Sequence, residues 1–173
     1  MGGSARHPNR KELSVENVAH KMIAMRPSRV LDKFRAGQVV SCYKTNLSDA
    51  RSVEIAALFG FDCVWTCIEH VGNDWSAVER QIWAAKAQGA DLMVRVPRGS
   101  YSDHIKALEL DASGIMVPHV MSLADARHVV WMTRFHPIGR RPVDSGNADG
   151  ARASTLPCGP GKWNSPSPCC RST

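Results

Sequence analysis

The sequence predicts an α/β fold built on a parallel sheet, and three observations carry that reading. Short apolar runs rich in β-branched residues alternate four times with segments of helical spacing, at a repeat of roughly 25 residues. The connections between them are short, as right-handed crossovers between parallel strands require. Polar and ionisable residues recur where each run ends: Lys44 to Asn46, Glu69-His70, Arg95 to Arg98, and Pro118-His119. In a barrel or an open α/β sheet, that edge is where ligands bind.

Taken in order, residues 1–29 form a polar N-terminal extension, in which Leu13, Val15, Val18, Met22 and Met25 have the spacing of a short amphipathic helix over Glu12 to Met25. Val30 to Ala36 suits one or two helical turns stopped by Gly37. Val39-Val-Ser-Cys-Tyr-Lys44 reads as the first strand. Ser48 or Asp49 can cap a helix carrying Val53, Ile55, Ala56, Leu58 and Phe59, which ends at Gly60. Residues 63–68, with Val64, Trp65 and Ile68, suit a strand buried on both faces. Asn73 or Asp74 caps the next helix, closed by Gly89. Leu92-Met-Val-Arg-Val96 is a third strand, broken by Pro97, and Ser102 or Asp103 caps the helix after it. Ile115-Met-Val117 is a fourth strand, ended by Pro118, and Ser122 caps a fourth helix through Met132. Phe135 to Gly150 is a Gly/Pro/Arg loop of the kind that reaches over a binding face. Ala151 to Thr173 has four Pro, four Ser, three Cys and two Gly, no acid and neither period, and is expected to be a disordered tail.

Composition narrows the function classes. A chain of 173 residues fits one domain with a sizeable core. No apolar run approaches the roughly 18 residues of a membrane span. The N-terminus lacks the apolar centre of a secretory signal, so a cytoplasmic protein without a membrane partner is expected. The net charge of +6 invites a nucleic-acid partner, but its distribution argues against one. Residues 1–44 carry nine Lys/Arg against three Asp/Glu, residues 45–150 ten against thirteen, and residues 151–173 three against none. The excess lies in the ends, the middle is mildly acidic, and no aromatics interleave the basic residues. Among the six cysteines there is no paired C-x-x-C spacing. Cys63, Cys67 and His70 would need a fourth ligand to hold zinc, and two buried reduced thiols fit them better.

The rim candidates follow from residue chemistry. His70 ends the second strand, where it either transfers protons or caps a loop. Arg95 ends the third, where it meets a ligand or a surface acid. Arg140 and Arg141 either bind a substrate carboxylate from the loop or remain solvated. His104, His119, His128 and His136 have no partner that the sequence identifies, and Trp65, Trp75 and Trp83 read as core.

Four segments in register then carry a family resemblance: Gly60-Phe-Asp-x-Val-Trp-x-x-Ile-Glu-His70, Val94-Arg-Val-Pro97, Ala107-Leu-Glu-Leu-x-Ala-x-Gly-Ile-Met-Val-Pro118 and Gly139-Arg-Arg-Pro142. Together they resemble the aldolase/citrate lyase family, and more narrowly its class II pyruvate aldolases, over roughly residues 30–150. The resemblance implies a (β/α)8 barrel, of which this chain would supply about the first four βα units. It implies reversible retro-aldol cleavage of a 4-hydroxy-2-keto acid to pyruvate and an aldehyde, in a homo-oligomer, with a divalent metal (Mg, Mn or Co). By the same resemblance, His70 handles the aldol hydroxyl proton with Glu109 supporting its ring, Arg95 binds the keto oxygen, and Glu69 stands behind them as an anion. Glu109 stands where the family pattern has Asp, and Cys67 where it often has an acid.

The family's metal ligands come from the fifth and sixth strands, so none is assigned in this chain. The likeness runs through Asn147-Ala-Asp-Gly150 and stops at once, which reads as a frameshifted or artificially ended gene. The chain is therefore expected to retain the substrate side of an aldolase site and to show little turnover. The alternative is a non-catalytic fragment that self-associates or pairs with another chain through its open strand edges.

Overall fold

The computed structural model describes residues 26–142. The helix expected over Glu12 to Met25, the loop beyond Pro142 and the tail lie outside them. In chain order the elements are helix α1 (Arg29–Arg35), strand β1 (Cys42–Lys44), helix α2 (Ala50–Leu58), strand β2 (Cys63–Cys67), helix α3 (Trp75–Ala87), strand β3 (Asp91–Arg95), helix α4 (Tyr101–Glu109), strand β4 (Gly114–Met116) and helix α5 (Leu123–Thr133). The four strands form one parallel sheet in the order β1-β2-β3-β4. Consecutive parallel strands with a helix in every crossover are the arc of a (β/α)8 barrel, here four units of it.

Local chemistry sets the boundaries. Asp49, Asp74 and Ser122 accept backbone N–H groups as N-caps of α2, α3 and α5. Helix α4 begins two residues before the expected cap, because Ser100 and Asp103 form a capping box in which Asp103 Oδ2 accepts from the Ser100 N–H at 2.7 Å. Strand β1 is shorter than expected. Ser41, inside the expected span, gives its backbone N–H and its hydroxyl to Asp62 Oδ2 instead of to a ladder, and Val39 is exposed. Gly60 and Gly89 end α2 and α3 at positive φ, a conformation that carries little penalty only without a Cβ.

Strand alternation divides the sheet into two faces. Val64, Leu92, Val94 and Val96 belong to the core under α2, α3 and α4, with Val53, Ala56, Val78, Ile82, Ala85 and Ala107. The opposite face carries Cys63, Trp65 and Cys67 of β2 and Asp91, Met93 and Arg95 of β3, and cross-strand register pairs Cys67 with Arg95 and Lys44 with Trp65. Of the tryptophans expected in the core, Trp75 packs against it and Trp65 is half-buried. Trp83 is 58% exposed, pointing away from the sheet.

At the N-terminal edge, buried acids anchor α1. Asp62 accepts from Lys33 Nζ at 2.7 Å and from Ser41, and Asp91 Oδ2 accepts from Ser28 Oγ at 2.7 Å and the Val30 N–H at 2.9 Å. The Lys33 ammonium beside Asp62 outweighs the opposing effect of burial and holds its carboxyl down at about 2.

Candidate active site

The C-terminal edge gathers a different set of groups. Strand β2 ends at Cys67, and the loop after it is tied down by Asn73, whose side-chain amide donates to Thr66 Oγ1 and to the Cys67 carbonyl. That loop holds Glu69 half-buried and His70 61% exposed, with His70 Nδ1 3.1 Å from Glu69 Oε2. Strand β3 ends at Arg95, whose Nε lies 3.2 Å from the same Glu69 oxygen. His119, in the loop after β4, brings Nε2 to 3.8 Å from Glu69 Oε1. The structure thus brings two expected site residues, His70 and Arg95, to the carboxylate of a third, Glu69.

Glu69 Oε2 is buried and, despite two nitrogens at this range, has no aligned hydrogen bond among the described residues. Unliganded sites often hold such contacts loosely and tighten them around a ligand. The Arg95 guanidinium lies 5.2 Å above the Trp65 ring, with Lys44 Nζ at 5.3 Å from the same ring. The indole therefore acts as a platform for two cations rather than as core packing.

Cys67 completes the cluster. Its sulfur is fully buried and accepts from Arg95 Nε at 3.2 Å and from the His70 backbone N–H at 3.3 Å. Burial pushes this thiol up, but the His70 N–H, the Arg95 guanidinium and the Glu69 N–H together bring it below the ordinary thiol range. Cys63, four residues back on the same face, lacks the guanidinium, and burial pushes its thiol far up. Both thiols are free, as the sequence predicts.

Glu109 and Arg141 come together elsewhere. Glu109 ends α4, and its Oε1 accepts from Arg141 Nε at 2.8 Å and Nη2 at 2.7 Å, while the guanidinium stacks 4.7 Å over Phe135. Gly139 makes this approach possible, since a Cβ there would collide with the carbonyls of Trp131 and Arg134. The carboxylate beside His70 Nδ1 is that of Glu69, at 3.1 Å, and Glu109 takes Arg141. Arg141, only 10% exposed, is given to an acid of the fold rather than presented to solvent. Close by in charge, Tyr101 is raised by burial and by the Glu109 carboxylate, with Arg141 opposing.

The residue that sequence reasoning missed is His119, set aside as having no identifiable partner. Its one signal is position, at the end of β4 after Pro118, and it holds a positive φ of 53°, uncommon outside glycine. Among the described residues, no group of three or more His, Cys, Asp or Glu is placed to hold a metal ion. The described residues do not fit the metal that the family pattern implies.

A parallel βα arc with charged and polar groups at the C-terminal ends of its strands has the architecture of the barrel-type α/β folds. Residues 43–156 match the family model described as HpcH/HpaI aldolase/citrate lyase, and the chain belongs to that family. It is 34% identical to the 2-keto-3-deoxy-L-rhamnonate aldolase of Klebsiella pneumoniae, over 57% of this chain and 37% of that protein. It is 32% identical to the hydroxypyruvate/pyruvate aldolase of Roseobacter denitrificans, over 57% and 38%. The crystal structure of the HpcH/HpaI aldolase from Desulfitobacterium hafniense superimposes with a TM-score of 0.66 at 26% identity, covering 74% of this chain and 48% of that one. The chain therefore spans less than half the length of each of these relatives. No described helix is long and apolar enough to cross a membrane.

Proposed function

We propose that the C-terminal rim is the 2-keto-acid side of an aldehyde-lyase site, for reversible cleavage of a 4-hydroxy-2-keto acid into pyruvate and an aldehyde. The observation that supports this reading best is the convergence of Arg95, His70 and Glu69 at the ends of two adjacent parallel strands. Arg95 carries a permanent charge, and its two terminal amino groups have no hydrogen-bond partner among the described residues. They suit the keto oxygen, on which negative charge develops as the enolate forms. His70 is exposed enough to meet a substrate hydroxyl, and Glu69 beside Nδ1 favours the tautomer in which Nε2 is basic.

The electron flow is then complete in outline. The imidazole takes the C4 hydroxyl proton and the C3–C4 bond breaks. The aldehyde carbonyl forms, the bonding pair passes into the enolate held by Arg95, and a proton returned to C3 gives pyruvate. Family membership suggests a divalent metal, but no described residues are assigned to hold one and no step above passes through it.

The test is pyruvate binding to the purified chain by NMR titration, together with pyruvate release from 4-hydroxy-2-keto acids in the presence of Mg, Mn or Co. Binding lost in Arg95→Met, with cleavage weak in wild type and abolished in His70→Ala, is the expected result. Binding indifferent to Arg95 overturns the reading.

A second reading, a self-associating chain without catalysis, draws on the unpaired edges of β1 and β4 among the described residues. Exposed Val120 and Val130 share a cleft with Ile115 of β4. Sedimentation analysis distinguishes it: a monomer that binds pyruvate eliminates this reading.

A further inference from the structure

The sulfur at the end of β2 has more to do than fill space. The Nε–H of Arg95 carries a single proton and faces two acceptors at the same range, Cys67 Sγ at 3.2 Å and Glu69 Oε2 at 3.2 Å. It is aligned on the sulfur, and the carboxylate oxygen is the one left without a hydrogen bond. The same sulfur accepts the backbone N–H of His70, so one buried atom is bonded to both the guanidinium and the histidine. Sheet geometry brings this about, because Cys67 and Arg95 are cross-strand partners whose side chains leave the sheet on the same face.

We propose that Cys67 is a positioning residue: its sulfur fixes the Nε edge of Arg95 over Trp65 and holds the His70 backbone, so that the terminal amino groups of the guanidinium and the imidazole face one ligand. The alternative anchor for Arg95 is Glu69, and taking it would draw the guanidinium towards the carboxylate that serves His70. The same donors hold the thiol below its ordinary range, as suits a sulfur that accepts hydrogen bonds. The inference rests on the proposed part of Arg95 in binding the keto acid.

Two variants of the full chain separate anchoring from packing. Cys67→Val keeps an apolar side chain, larger by one methyl group, and removes the acceptor, and Cys67→Ser keeps an acceptor. The first readout is the Arg95 Nε–H resonance in a nitrogen-15 correlation spectrum, assigned by its disappearance in Arg95→Lys. It is expected to be protected from solvent exchange in wild type and Cys67→Ser and to exchange rapidly in Cys67→Val. The second readout is pyruvate affinity, expected to fall about tenfold in Cys67→Val and to stay within about twofold in Cys67→Ser. Should the valine variant fail to fold, Cys67→Ala gives the same comparison.

A protected Nε–H in the valine or alanine variant overturns the inference. If the wild-type chain binds no pyruvate, or binds it equally well in Arg95→Lys, the functional reading fails instead, and the exchange readout still decides whether sulfur positions the guanidinium.

Discussion

Strands β2 and β3 carry charge at both ends, and the two ends use it differently. At the N-terminal edge, Asp62 is 4% exposed and takes hydrogen bonds from Lys33 and from both donors of Ser41, while Asp91 holds the start of α1. At the C-terminal edge, Glu69 Oε2 is equally inaccessible but unaligned, Arg95 is divided between a sulfur and a carboxylate, and His70 projects into solvent. One edge has resolved the Asp62 carboxylate and Asp91 Oδ2 into bonds, with Asp91 Oδ1 held by Arg26 at 3.6 Å. The other keeps its charges near one another and incompletely satisfied, the state in which a ligand has the most to gain by binding. The same strands therefore anchor α1 at one end and gather loosely paired charges at the other, the end at which parallel α/β sheets in general bind ligands.

The sharpest way to break this comparison is to remove an acid from each edge. Asp62→Ala strands Lys33 and the Ser41 donors around a buried site, and should cost about 3 kcal/mol in urea unfolding. Glu69→Gln should cost no more than about 1 kcal/mol, because its oxygen makes no aligned bond to lose. Equal losses would erase the distinction. The next effect is on binding: Arg95→Met should weaken pyruvate affinity at least tenfold, by the loss of a charged hydrogen-bond donor, while shifting stability by less than about 1 kcal/mol.

Acid titration sharpens the comparison from the other side. The folded-state carboxyl of Asp62 lies below its unfolded value, so its stabilisation is complete above about pH 4 and is lost as pH falls through about 2. Lys33 is partly exposed, which reduces the effect to the order of 1–2 kcal/mol. Wild type should lose that stability between those pH values, and Asp62→Asn should not. The smallest effect is expected at Asp32 and Arg35, an exposed pair on α1 outside both edges, where Asp32→Ala should change unfolding by less than about 0.5 kcal/mol.

Much of this layout is legible in the sequence. The strand-helix alternation, the caps at Asp49, Asp74 and Ser122, and the glycine stops follow from local rules that need no tertiary information. The delivery of Glu69-His70 and Arg95 to a single edge also follows, because every strand in a parallel sheet ends on the same side. The missed boundaries are equally local in origin. Strand β1 gave up Ser41 to Asp62, and α4 took Ser100 because the box with Asp103 outcompeted the caps inside it. The family likeness placed Glu109 beside His70 through a motif that records position along the chain rather than direction of the side chain. Helix α4 turns that carboxylate to Arg141, whose approach depends on Gly139 and a loop more than thirty residues away.

The class of fold and the edge on which Glu69, His70 and Arg95 gather are written in the sequence alone. Period and turn chemistry are written in neighbouring residues, and parallel topology converts them into a common rim. Only the tertiary structure decided the partners: Glu69 rather than Glu109 for the imidazole, sulfur rather than carboxylate for the guanidinium, and His119 as a third group at the same acid. Those choices depend on strand register, on alternation between the faces of the sheet, and on which of two acceptors at equal distance lies in line with a single N–H.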